Sequence, residues 1–132
     1  MKRIRVKTRE RIEMVDITGE VQAVLSELKL DEGICVVYSP HTTAGLVINE
    51  HADPDVAKDI MNAMKEQYPH RRGWLHTEGN ADAHVKAALL GSSVSIPVTG
   101  GRLALGTWQG IFFCECDGPR SREVYVQAAG AK

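Results

Sequence analysis

Hydrophobic positions along this chain change period several times, and each change marks an element. Residues 2–7 alternate, with Ile4 and Val6 on one side and Arg3, Arg5 and Lys7 on the other, the period-two pattern of a half-buried strand. The basic side suits a solvated edge that resists stray pairing. Ile12 and Met14 predict a second strand after a short turn. Thr18 and Glu20 then open a helix, with Thr18 as its cap, and Val21, Val24, Leu25 and Leu28 form one apolar stripe. Two apolar runs, 34–38 and 46–48, predict central strands covered on both faces. Asp53 and Pro54 cap and start a second helix that runs to about Gln67, its stripe being Val56, Ile60, Ala63 and Met64. A third helix is expected from Asn80, its cap, to Gly91, with Val85, Ala88 and Leu89 inward. Strands over 94–98, 102–105, 111–116 and 124–128 complete the chain. No repeat or linker divides it, so residues 1–132 are expected to form one domain. Strands in succession with about three helices packed against them predict an α+β fold around a mixed, largely antiparallel sheet.

Composition narrows the function. The net charge of −1 argues against a nucleic-acid partner, which calls for a basic domain. No apolar window reaches the length of a membrane span, and an odd number of cysteines, three, fits free thiols. A cytoplasmic location is the expectation. Cys114 and Cys116 share a strand face, which would suit a soft metal, but small buried hydrophobes are the plainer reading.

The chemistry concentrates in residues 76–84, His-Thr-Glu-Gly-Asn-Ala-Asp-Ala-His, at the entry to the third helix. The gap between His76 and His84 suits a loop ligand folding back over a helix ligand. His41, in the polar loop between the two apolar strands, is the third candidate, with Thr42 and Thr43 beside it to orient a ring or meet phosphate oxygens. Three imidazoles without cysteine favour a divalent transition metal, zinc first, and leave a coordination position open. Glu78 is then the natural general base, and Asp82 a group that fixes a histidine tautomer. The approach to the second helix carries Asn49, Glu50 and His51, and its N-terminus is expected to point at the His41 pocket. His51 and His70 read as surface residues. Thr107, Trp108 and Gln109 lie in a glycine-bounded turn, where Trp108 suits a core or an interface equally. Arg120 flanks the Gly118-Pro119 turn and could clamp a phosphate.

These residues also form a recognisable pattern. His41-Thr42-Thr43-Ala44-Gly45, Asn49-Glu50, Asp53-Pro54-Asp55-Val56 and the 76–84 stretch closely resemble the YjbQ family of uncharacterised small proteins. Gly91-Ser92, Ile96-Pro97-Val98, Gly101-Arg102-Leu103 and Gly106-Thr107-Trp108-Gln109 continue the match. The resemblance implies a homotrimer of α+β subunits with a partly barrel-like sheet, and a secondary thiamine-phosphate synthase activity. His41, His76 and His84 look like that family's metal-site residues. Joining a pyrimidine diphosphate to a thiazole phosphate releases pyrophosphate, whose charge needs neutralising, and Arg102, Arg120 and Lys86 are the candidates. Asn80 is a further candidate contact for a small phosphorylated substrate. Two alternatives stand beside the synthase: a metal-dependent hydrolase of a small phosphorylated or carbonyl substrate, and a metal- or ligand-binding trimer without catalysis.

Overall fold

A computed structural model describes residues 1–130. The strands are β1 (Lys2–Lys7), β2 (Glu13–Asp16), β3 (Gly33–Tyr38), β4 (Ala44–Glu50), β5 (Ser93–Thr99), β6 (Arg102–Leu103), β7 (Gln109–Glu115) and β8 (Ser121–Gly130). The helices are α1 (Thr18–Leu28), α2 (Pro54–Gln67) and α3 (Ala81–Leu90). One sheet has the order β1-β8-β3-β5-β6 and the other β2-β7-β4, and every pairing among the described residues is antiparallel. The fold is therefore α+β as expected, with the mixed sheet resolved into two antiparallel ones.

The smaller sheet is the middle layer. Its Leu46, Ile111 and Phe113 face the larger sheet, where they meet Ile4, Val37, Ile96 and Val126, and α1 closes this core with Val21 and Leu25. Its other face presents Phe112 and Cys114 to Met61 of α2 and Ala83 of α3. Covering on both sides explains why β7 is buried from Gly110 onward and reads as a continuous apolar run.

Several expectations change. β3 is covered on one face only: Ile34 and Tyr38 stay exposed, because among the described residues no layer covers the outer face of the larger sheet. β4 is an edge strand, not a central one, and α3 packs against it. Thr18 is the first residue of α1 and not its cap; its hydroxyl donates to Asp16 Oδ1 and accepts from the Ile111 amide. Asp53 does cap α2 by accepting from the Asp55 amide. In that helix Met61 is the fully buried residue and Ala63 is exposed.

The largest difference is the orientation of α3. Ala81, Asp82, Ala83, Lys86 and Ala87 are buried, whereas Ala88 and Leu89 are exposed. The cause is close packing. A Cβ placed on Gly45 of β4 would come within 2.7 Å of the Gly91 carbonyl and 2.9 Å of Leu90 Cβ, so only glycine lets the C-terminal end of α3 sit this near the strand. Small side chains favour that contact, and the helix turns its alanines to the sheet.

Candidate functional site

The segment before α3 is held from both ends. His70 Nε2 donates to the Gly79 carbonyl at 2.6 Å, and the Trp74 indole donates to the Pro69 carbonyl. A carbonyl only accepts, so this bond places a proton on His70 Nε2. Gly79, with φ of +90°, makes the reversal that brings the loop over the helix it precedes. Asn80 follows as the cap residue, but its side chain does not bond the helix amides. Its amide nitrogen donates instead to Asp117, which also accepts from Arg120.

This arrangement brings His76 over His84. Their ring centroids are 5.2 Å apart with planes at 69°. Two imidazoles on one tetrahedral zinc ion, with Zn–N distances of about 2.0–2.1 Å, place their centroids about 5 Å apart. That separation suits a shared divalent ion, and it is equally the separation of edge-to-face packing between two rings. Glu78 Oε2 lies 3.8 Å from His76 Nε2, and both side chains are open to solvent. Trp74, Leu75 and Val85 make the remaining wall of a shallow cleft of about 420 Å³ around the two rings.

His84 also lines a second groove, of about 400 Å³, which it shares with His41, Thr42 and Ser92. His41 Nε2 is held at the Glu123 backbone, 3.0 Å from its amide nitrogen and 3.1 Å from its carbonyl oxygen. The two bonds need opposite tautomers. When Nε2 carries the proton and donates to the carbonyl, Nδ1 is left with a free lone pair, the orientation that backbone acceptors give to metal-binding histidines. Burial and the nearby Arg122 charge hold the His41 pKa below the usual histidine value, against the opposing pull of the Glu123 carbonyl. Both effects favour the neutral ring, the form that a metal ligand takes. Among the described residues, however, no three His, Cys, Asp or Glu side chains are placed around one point as a ready metal cage. One chain supplies a histidine pair, with His41 further along the same surface.

The other expected site residues separate into groups. Asp82 is fully buried, and its carboxylate binds Arg11 in bidentate fashion and Lys86 at 2.5 Å rather than a histidine. Lys86 lies with it on the opposite side of α3 from His84, since two residues rotate a helix by about 200°. Thr43 is buried and accepts from Arg122. Asn49, Thr107 and Gln109 sit at the far end of β4 and β7, about 20 Å from the Ala44 end beside His41. Arg102 pairs with Thr99, at the opposite end of β5 from Ser92. The start of α2 lines a separate acidic cleft with His51, not the His41 groove, and His51 Nδ1 lies 2.9 Å from Asp16 Oδ2. Arg120 and Asn80 remain near the start of α3 through Asp117.

Sequence reading missed two charged networks. Arg11, in the turn after β1, gives no periodic signal of its pairing with Asp82. Glu115 is fully buried and ion-paired to Arg122, with Thr8 donating to it at 2.7 Å. The alternation of β8, which puts Arg122 on the inward side with Val124 and Val126, was the available clue.

Comparison with known proteins agrees with this architecture. The family pattern described as UPF0047 protein YjbQ-like matches residues 2–131. A UPF0047 protein of Methanocaldococcus jannaschii is 51% identical over 96% of this chain and 92% of its own length. The UPF0047 protein YugU of Bacillus subtilis is 50% identical over 98% of this chain and 99% of its own. A crystal structure of an uncharacterised YjbQ/UPF0047 protein from Clostridium acetobutylicum superposes with a TM-score of 0.96 at 45% identity, covering 98% of this chain and 100% of that one. A hypothetical protein from Aeropyrum pernix gives 0.94 at 42% identity, with 98% of each chain covered. On sequence and structure alike, this chain belongs to the YjbQ (UPF0047) family.

Proposed function

We propose that the protein is a metal-dependent hydrolase of a small phosphorylated or carbonyl substrate, working at the His76–His84 pair. The observation that carries the reading is the ring separation of 5.2 Å, which suits two imidazoles on one divalent ion, zinc first. His41 is the third donor in this reading, through the Nδ1 freed by its bond to Glu123. A bound ion would supply Lewis acidity toward water and toward a phosphoryl or carbonyl oxygen. Glu78, solvent-facing beside His76, takes the proton that an attacking water loses as its oxygen bonds to phosphorus or carbon, and returns it to the leaving group's oxygen or nitrogen as that group's bond to the same atom breaks. Thr42, exposed beside His41, and Arg120, near the start of α3, are the polar groups available to orient an anionic substrate.

Thiamine-phosphate synthase activity is a narrower proposal for the same site. It requires cations grouped around a leaving pyrophosphate. Of the three named for that task, Arg102 lies at the far end of β5 and Lys86 is tied to Asp82 on the opposite face of α3 from His84, which leaves Arg120 and favours the less demanding hydrolase. The homotrimer belongs to the same proposal: Ile34 and Tyr38 on the open sheet face, and Leu75 beside His76, are large apolar side chains left in solvent by a single chain. Light scattering should return three times the chain mass.

The test is metal content and turnover measured together. Purified protein should contain a transition metal and hydrolyse one member of a panel of phosphate and carboxylate esters, and His76→Ala should lose both in parallel. Metal retained with no turnover on any ester would make the protein a binder. Turnover that survives complete metal removal would overturn the proposal.

A further inference from the structure

On the face of α3 away from the histidines, a cleft of about 510 Å³ opens between the turn after β1, the C-terminal end of α2 and α3. Four basic side chains line it: Arg11, Lys65, His70 and Lys86, with Glu10 the one acidic side chain in the lining. Asp82 lies behind the cleft wall. Its single carboxylate faces two cations, Arg11 through both guanidinium nitrogens at 3.0 and 3.1 Å, and Lys86 at 2.5 Å. One positive charge is therefore left over, shared between Lys86, whose side chain is 1% exposed, and Arg11, which is 29% exposed at the mouth of the cleft. An ammonium has three donors, and among the described residues Asp82 is the acceptor recorded for Lys86.

We propose that this cleft is an anion site for a phosphate group, either free phosphate or the terminal phosphate of a small monoester. Lys86 meets it at the back of the cleft with the donors that Asp82 does not use. Arg11 contributes the guanidinium protons outside its two bonds to Asp82. Lys65 approaches from the end of α2. The site differs from the histidine cleft in residues and in helix face, so it does not depend on metal.

Titration calorimetry on the full chain tests it, with EDTA present, ionic strength held constant with chloride, and either inorganic phosphate or glycerol 3-phosphate as the probe. The expected result is saturable binding at one site per chain. The tighter of the two probes identifies the natural source. Lys65→Glu, at an exposed position, should weaken binding about tenfold, and Lys86→Met by at least as much, with Arg11 still pairing Asp82 to keep the fold. Absence of saturable binding for both probes would overturn the proposal. So would wild-type affinity in either variant: an unchanged Lys65→Glu removes the cleft, and an unchanged Lys86→Met reduces the effect to surface charge.

Discussion

Asp82 and Lys86, one turn apart on α3, form a 2.5 Å ion pair that is buried from solvent on both sides. The pair holds the helix with its charged face inward and thereby turns His84 outward toward His76. Arg11 makes the arrangement asymmetric, since it also binds Asp82. Asp82→Ala leaves two cations without a partner and should cost about 3–5 kcal/mol. Lys86→Met leaves Asp82 still bound in bidentate fashion by Arg11 and should cost no more than about 2 kcal/mol. Urea unfolding of the two variants checks the order, and equal losses would contradict it.

Acid should unfold the protein through two carboxylates. Burial pushes the Asp82 pKa up, but hydrogen bonds from Arg11 and Lys86 outweigh it and hold the group below its ordinary value. At Glu115 burial is likewise outweighed by bonds from Arg122, Thr8 and the Asp117 amide. A carboxyl depressed in the folded state stabilises fully above its unfolded pKa, about 4, and the contribution fades as pH falls through the folded value. Stability to urea should decline gently below about pH 6.5, where the unfolded chain protonates His41 before the folded one does, and drop steeply below about pH 4. Glu115→Gln should make that drop shallower, alongside a loss of stability at pH 7.

The contact at Gly45 is the tightest joint between α3 and the sheet. Gly45→Ala forces a methyl group against the Gly91 carbonyl and Leu90 Cβ. Overpacking of this kind costs about 1–3 kcal/mol. It should also displace His84, so metal affinity should fall with thermal stability. A variant with unchanged melting temperature would show that the strand and helix yield without strain.

The three cysteines are all buried and unpaired. Burial raises the thiol pKa of Cys114 well above normal and that of Cys116 to about 12. A thiol in that state is a poor nucleophile and a poor metal ligand. Native protein should leave Cys114 and Cys116 unreactive toward Ellman's reagent at pH 8, and denaturant should expose both.

The sequence carried most of the element order because its signals were local. The alternation of residues 2–7, the Asp53-Pro54 start of α2 and the glycine turn at residues 99–101 each depend on neighbours a few positions away. What escaped depended on distant partners. Leu89 is far more apolar than Asp82 or Lys86, so periodicity alone turned α3 the wrong way. Arg11 and Gly45, far away in the chain, decided the matter. The histidine pair was legible because His76 and His84 flank a single turn. Asn49, Thr107, Gln109 and Arg102 were not separable from that site by pattern, because the lengths of β4 and β5 place them at the other end of the molecule.

Zinc titration by calorimetry of wild-type protein, His76→Ala and His84→Ala tests the histidine pair most directly. One ion per chain is expected in the wild type and affinity weakened by about 100-fold or more in each variant, with circular dichroism unchanged. Equal affinity in all three proteins would contradict it.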